Sequence, residues 1–563
     1  MTALVALGAA QIAAAVLAAP ASAPVDAVGA LSINHTPAAV KNWAITEFGA
    51  NDKTVLVWGI RGVLVVCAVV IGVLALRRLW LGMAGLAVFG AVGVAAALAQ
   101  PGAAASDALP SLVGAGAAAL ALRYFSGLAS RELARARTSW PPAAAAPEQS
   151  TPPRQSRDGG PGDAPGRAGQ LAAEGGLAQG DVTAVPASGP VWRPVGPEPV
   201  WGGGSPDRRR FLAASAAVAA GSLVAYGAGS WLASSRNVSA AQRAIRLPRA
   251  AVPAPALPPG ANLRIPGLSS FITPNASFYR VDTALVLPEI APANWQLRVH
   301  GMVRRELTLS FDDLIRRPLI EDYITLCCVS NPVGGPYIGN AKWLGASLRS
   351  LLEEAGVMRG ASQLLATSSD GFTSGTPIET AMDGRDSLLA VAMNDAPLPV
   401  AHGFPVRQVV PGLYGYVSAC KWLVDIEVTT YAAAQAYWVP RGWSAQAPIK
   451  TESRIDVPTG QNPVTVGGRV AIAGEAWAQH KGIDAVEVRV GNGPWQQAQL
   501  AAVPDLDTWR QWVYWWDVNV SPGNYLIEAR ATDKTGYTQT SLQEPPEPNG
   551  ATGYPSVSVN VVS

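Results

Sequence analysis

Residues 325–335 read TLCCVSNPVGG, and the adjacent Cys327 and Cys328 are two of only four cysteines in a chain of 563 residues. The other two, Cys67 and Cys420, lie far off in sequence, so neither a zinc-type CxxC spacing nor a disulfide ladder is present. Neighbouring cysteines rarely bridge one another, because that ring is strained. Two readings of the pair stand: a free reactive or ligating thiol, or two small buried hydrophobes. Around it, WQLRVHGMV (residues 295–303) alternates as a strand, SLRSLLEEAGV (347–357) has helical spacing with a glycine stop, and WLVDIEVTTY (422–431) alternates again. Short strands and helices mixed in this way predict an α+β domain from about Ile265. No GxGxxG follows a strand and no Walker loop occurs, which argues against a nucleotide cofactor.

Upstream the composition changes. A formal charge of +2 gives no reason to invoke nucleic acid, and the positive mean hydropathy with the richness in Ala, Gly and Pro suggests a membrane portion encoded by a GC-rich bacterial genome. Crossing the hydrocarbon core takes roughly 20 apolar residues. Such stretches occur at residues 4–19, 54–76, 79–99, 109–125 and 211–232. The first is either a retained helix or a signal peptide whose APASA (19–23) resembles a small-residue cleavage site. Basic residues at Arg77 and Arg78, at Arg123, Arg131, Arg135 and Arg137, and at Arg208 to Arg210 mark cytoplasmic ends. With the N-terminus inside, the five crossings alternate and everything after Leu232 lies outside. Arg61 falls near the outer end of its span, where it can snorkel or face a neighbouring helix.

Between Arg137 and Asp207 the chain is too poor in large apolar residues to bury a core, and is read as a disordered cytoplasmic linker. It ends at PDRRRFLAAS (206–215). That stretch resembles a twin-arginine export signal built on Arg208 and Arg209, and can also be read as a plain stop of positive charge before a helix. Export by that route carries domains already folded, often around a cofactor. At the other end, GRVAIAGEAWA, IDAVEVRVGNGPWQQAQL and NYLIEARATDKTGYTQ alternate with turn residues at sandwich spacing. The tryptophans there, Trp509, Trp512, Trp515 and Trp516, read as core and interface anchors.

Six stretches in order, TPNASFYRVDT (273–283), TLCCVSNPVGG, NAKWLG (340–345), SSDGF (368–372), HGFPVRQVVPGLYGY (402–416) and KWL (421–423), resemble the sulfite oxidase family of molybdenum enzymes. The likeness covers about half the chain, from Ile265 to the C-terminus. In that family the motif is T-L-x-C, and the cysteine after the variable position binds molybdenum. By that alignment Cys328 is the catalytic residue and metal ligand, and Cys327 is packing. A soft thiolate suits a metal already bound by dithiolene sulfurs, and a single protein sulfur leaves positions free for atom transfer.

The resemblance further implies a molybdenum–molybdopterin cofactor contacted by Asp370, His402, Arg407 and Lys421, with Ser418 and the loop bearing Tyr279, Arg280 and Thr283 as weaker candidates. Two departures bear on the substrate. Pro332 and Val333 stand where animal and plant members carry arginines, and Arg280 and Lys421 match only with a one-residue shift.

The expected organisation is therefore multi-domain: a four-helix transmembrane region (1–125), a cytoplasmic linker (126–207), a fifth transmembrane helix with the export signal (208–234) and an extracytoplasmic linker (235–264). An α+β molybdopterin domain (265–446) and an immunoglobulin-like β-sandwich of dimerising type (447–563) follow. The expected function is two-electron oxygen-atom transfer on a small molecule at the outer face of a bacterial membrane. The alternative is a non-catalytic, membrane-anchored scaffold that keeps the fold. The four histidines, His35, His300, His402 and His480, fall outside the expected spans and no CxxCH occurs. No haem is expected in this chain, and a separate electron carrier or membrane redox subunit is expected as partner.

Overall fold

The long apolar runs form helices. A computed structural model describes residues 1–17, 20–37, 40, 43, 47–48, 52–100, 103–138, 206–235 and 238–563. Most of the expected linker, residues 139–205, lies outside the described residues. Two units separate by internal packing: residues 1–123 with 218–563, and residues 124–217. The smaller one includes, among the described residues, the end of one long helix and the start of the next.

The N-terminal part contains helices α1 (Thr2–Val16), α2 (Pro24–His35), α3 (Asp52–Arg77), α4 (Leu79–Leu98), α5 (Leu109–Thr138) and α6 (Pro206–Ser235). Four segments are long and apolar enough to cross a membrane: Lys53–Arg77, Leu79–Leu98, Ala105–Leu128 and Leu212–Trp231. Valines such as Val63, Val66 and Val69 are about 60% exposed along α3, a surface suited to lipid rather than water. These four helices suggest membrane association. Arg61 stacks over Trp58 one turn away, 5.0 Å from the ring centre.

The first expected span comes out shorter than a crossing. Helix α1 has 15 residues, roughly 22 Å at 1.5 Å per residue, and the chain then passes Pro20 into α2, a helix the sequence reading did not expect. Helix α2 starts on Pro24, whose fixed φ suits a first helical position. Small residues let α1 pack tightly. A Cβ on Gly8 would lie 2.8 Å from the Ser222 carbonyl oxygen of α6, and one on Gly114 of α5 would lie 2.8 Å from that of Ala6.

From residue 296 the chain turns to β1 (Gln296–Gly301), β2 (Leu307–Ser310), β3 (Leu319–Cys327), β4 (Ile338–Ser347), β5 (Gln363–Ser368), β6 (Thr373–Pro377), β7 (Leu388–Met393), β8 (Ala396–Pro397), β9 (Arg407–Val409) and β10 (Leu423–Thr429). Two sheets result, one ordered β2-β1-β10-β5-β6 and the other β3-β4-β7-β8 with β9 paired to β7. Only β1 and β10 run parallel within them. The helix Leu348–Ala355 forms where its spacing predicts. Ser347 caps it by accepting from the Ser350 N–H at 3.2 Å, and Gly356 ends it at φ 69°.

Strands β11 (Glu452–Val457), β12 (Val464–Thr465), β13 (Arg469–Trp477), β14 (Ile483–Val490), β15 (Gln496–Gln497), β16 (Gln499–Leu500), β17 (Arg510–Asp517), β18 (Gly523–Asp533) and β19 (Ser556–Val562) complete the chain. They form sheets β11-β13-β17-β16 and β12-β19-β18-β14-β15 over a common core that includes Ile472, Trp512, Trp516, Val486 and Ile527. Trp515 faces outward under Arg469. Trp509 is buried instead in the core formed with β1–β10, its indole N–H donating to the Phe271 carbonyl at 2.9 Å. This C-terminal region also grips β3 just ahead of the cysteines. Thr325 Oγ1 accepts the Trp509 N–H at 2.7 Å, and the Thr325 N–H donates to the Asp507 carbonyl at 2.9 Å.

Candidate functional site

Strand β3 is buried through to Cys327, its last residue, which joins the domain core. Cys328 leaves the strand half-buried, its amide donating to the Tyr337 carbonyl at 2.9 Å. Its Sγ lies 2.9 Å from the Ser330 hydroxyl. Burial raises both thiols above the ordinary cysteine range, Cys327 by more. At Cys328 the Ser330 hydrogen bond and the Lys421 charge pull the other way. Arg454 opposes the rise at Cys327, and the smaller rise at Cys328 reflects its closer hydrogen-bonding partner, Ser330.

Three further segments converge on this point. His402 closes the short turn Val400–His402, which ends at Gly403 with φ 110°. A Cβ on Gly403 would lie 2.9 Å from that of Arg407 and 3.1 Å from Lys421 Cα, so glycine is what lets these three side chains share one place. Strand β9 delivers Arg407, and the entry to β10 delivers Lys421. Between Lys421 and β10, Trp422 holds a left-handed φ of 50°, pinned by its indole N–H donating to the Val400 carbonyl at 2.8 Å. A large residue in that region costs on the order of 1–3 kcal/mol.

Arg407 is buried. Its guanidinium donates to the carbonyls of His402 (3.1 Å) and Ala419 (3.3 Å) and lies 5.0 Å over the Trp343 ring. Among the described residues it forms no salt bridge with a carboxylate. Burial lowers it to about 10. His402 sits edge-on to Phe278, its Nε2 3.2 Å from the Asn275 carbonyl. Burial first and the Arg407 charge second pull its pKa down to about 4, so the ring is neutral at pH 7.

The Tyr279 ring stacks on Phe278 at 5.3 Å, and burial plus the nearby cysteines push its phenol well up. Arg280 and Lys421 meet at Asp282. Arg280 Nε donates to Oδ2 at 2.8 Å and Lys421 Nζ to the same oxygen at 2.7 Å. Burial alone would raise the Asp282 carboxyl, but Lys421, Arg280 and Lys53 outweigh it and hold it well below the usual carboxylate range. Burial draws Lys421 down to about 8 despite this partner, because Arg407 and Arg280 also repel its charge.

The remaining candidates are more peripheral. Asp370 Oδ1 accepts the Phe372 N–H at 3.1 Å and closes the SSDGF turn, while Ser369 donates to the Trp422 carbonyl and draws that turn toward Lys421. Thr283 is half-buried beside Asp282. Ser418 is fully buried, its Oγ donating to the Leu413 and Tyr414 carbonyls at 3.0 and 3.1 Å and its own carbonyl accepting the Val410 N–H at 3.1 Å. Two residues that sequence reasoning missed belong to the cluster: Asp282, one position before a named candidate, and Lys53. The signal for Asp282 was an acidic residue between Arg280 and Thr283, inside the quoted stretch TPNASFYRVDT.

The family model for the oxidoreductase molybdopterin binding domain matches residues 284–438. Sulfite oxidase of Gallus gallus is 31% identical over 323 residues, covering 49% of this chain and 69% of that protein. Mitochondrial sulfite oxidase of Mus musculus is 29% identical over 322 residues, covering 49% of this chain and 58% of that one. The solved sulfane dehydrogenase SoxCD of Paracoccus pantotrophus is similar at 24% identity and a TM-score of 0.45, over 52% of this chain and 84% of that one. The chain belongs to the sulfite oxidase family of molybdopterin-binding oxidoreductases. It spans 58% and 50% of the length of the mouse and rat relatives that it matches.

Proposed function

We propose that this protein is a membrane-anchored molybdenum oxidoreductase that moves an oxygen atom to or from a small substrate on the outer face of a bacterial membrane. The observation that carries the reading is Arg407. A buried guanidinium without a carboxylate is costly unless an anion answers it, and this one lies beside a neutral histidine and within electrostatic reach of Tyr279 and Lys421. Those features fit molybdopterin, whose phosphate needs cations and whose ring edges need fixed donors and acceptors.

In this reading Cys328 is the protein's single sulfur ligand. Arg407 answers the phosphate, Lys421 directs its charge toward Cys328, and His402, Asp370 and the Tyr279–Thr283 loop bind ring edges, with Ser418 supporting them from the core. Molybdenum in this cofactor supplies two-electron redox chemistry with oxygen-atom transfer. The chain's own part is to hold Cys328 at the end of β3, to keep the site partly dry, and to present Arg280 and Lys421 to an anionic or polarised substrate. Sulfite-type oxidation and sulfoxide or N-oxide reduction both suit that arrangement.

The same proposal takes α3 to α6 as spans, with Arg208 and Arg209 acting in twin-arginine export. It takes 265–446 as the catalytic domain and 447–563 as an immunoglobulin-like domain through which two copies pair. Electrons pass to a separate carrier or membrane subunit. The test is turnover with sulfite and with a sulfoxide, using artificial electron mediators, on protein purified from cells able to make molybdopterin. Activity with neither substrate in molybdenum-loaded protein would defeat the substrate assignment.

A further inference from the structure

Lys53 is the first residue of the apolar segment Lys53–Arg77. Its ammonium donates to Asp282 Oδ1 at 2.6 Å and to the Ala284 carbonyl at 2.8 Å, 229 and 231 positions along the chain. A second contact joins the same parts: a Cβ on Gly29 of α2 would lie 2.6 Å from a methyl of Leu285. The helical N-terminal part therefore seats against the loop that carries Tyr279, Arg280 and Asp282.

The charges in that seat are unequal. The Asp282 side chain is 4% exposed and pairs with three cations: Lys53, Arg280 and Lys421. At Asp282 itself, among the described residues, three positive charges meet one negative, a local excess of two. Each Asp282 oxygen already has two cationic donors, Lys53 and Arg280 at Oδ1, Arg280 and Lys421 at Oδ2. Without Lys53 the excess would fall to one, and the carboxylate would draw harder on Arg280 and Lys421. The stretch after Cys328 carries Pro332 and Val333 and brings no cation of its own.

We propose that Lys53 is a positioning residue that sets specificity for a small oxyanion: by sharing Asp282 from the membrane helix, it leaves the Arg280–Lys421 pair with net positive charge and further N–H groups to offer the anion. The membrane segment is thereby part of the substrate site as well as its anchor. This rests on the assignment above of Arg280 and Lys421 to the substrate and cofactor pocket.

Sulfate is the probe, titrated calorimetrically at low ionic strength into full-length, detergent-purified holoenzyme, with molybdenum and pterin content measured on each sample. Absence of molybdenum and pterin from the wild-type protein would count against the function proposed above, and is read separately from the anion titration. Lys53→Met is expected to weaken sulfate binding about tenfold with cofactor content unchanged, and Lys53→Arg to restore it to within about threefold. The double variant Lys53→Met with Asp282→Asn returns the excess charge to two and is expected to recover most of the affinity, which a merely structural tie would not do. Wild-type binding of sulfate by Lys53→Met would overturn the proposal. So would a loss of pterin in that variant, a double variant weaker than the single, or no sulfate binding by the wild-type holoenzyme.

Discussion

The Arg407 guanidinium lies 5.0 Å over the Trp343 ring and spends its hydrogen bonds on the carbonyls of His402 and Ala419. A charge buried in this way is worth little to the empty protein and much to an anion that reaches it. Arg407→Met is therefore expected to change the stability of cofactor-free protein by no more than about 2 kcal/mol, since relief from burying the charge offsets the lost hydrogen bonds. Pterin content is expected to fall at least tenfold. Thermal melts of both forms, with pterin fluorescence, check the two signs together.

The cysteine pair makes a second contrast. Cys327→Ser places a hydroxyl in the domain core at a cost of about 1–3 kcal/mol, and activity per folded molecule is expected to survive. Cys328→Ser changes a half-buried side chain beside Ser330, so the fold is expected to hold while metal binding and turnover are lost. Equal loss of turnover from both would remove the ligand assignment.

Thr325 couples the C-terminal region to the strand that ends in the cysteines. Its hydroxyl accepts the Trp509 N–H and donates to Asn340 Oδ1 at 3.0 Å. Thr325→Val leaves both partners buried and unanswered, with an expected loss of about 2–4 kcal/mol. A lower melting temperature with faster proteolysis between residues 440 and 452 is the expected signature, and an unchanged melt would argue that the contact is idle.

His402 gives the pH dependence. Its pKa of about 4 lies below the ordinary 6.5 because burial disfavours the charged ring, so between those values the unfolded chain binds a proton that the folded one does not. Stability from this group is present above pH 6.5 and is lost as pH falls through 4. The amount is on the order of 3 kcal/mol at most. In cofactor-free protein, His402→Gln is expected to flatten the stability curve across that window, measured by urea unfolding at a series of pH values.

Much of this architecture was legible in short stretches. Strand alternation located β1 and β10, and Ser347 with Gly356 bounded a helix that formed between them. The turn at Gly403 lies within a quoted motif, because the glycine that allows the close approach is local. What stayed hidden were contacts across long separations. Helix α2 carries no apolar run long enough to announce itself. Lys53 reads as an ordinary charged flank of a span, since its partner Asp282 is 229 residues away. Trp509 reads as an anchor from its type, but only the fold reveals that it anchors the core formed with β1–β10.

The most direct single measurement is molybdenum per chain in detergent-purified protein, by mass spectrometry alongside pterin fluorescence, for the wild type and Cys328→Ser. The expected result is near one metal per wild-type chain, lost in the variant. No molybdenum in wild-type protein from cells competent for molybdopterin synthesis would contradict the proposed enzyme and favour a scaffold that keeps the fold alone.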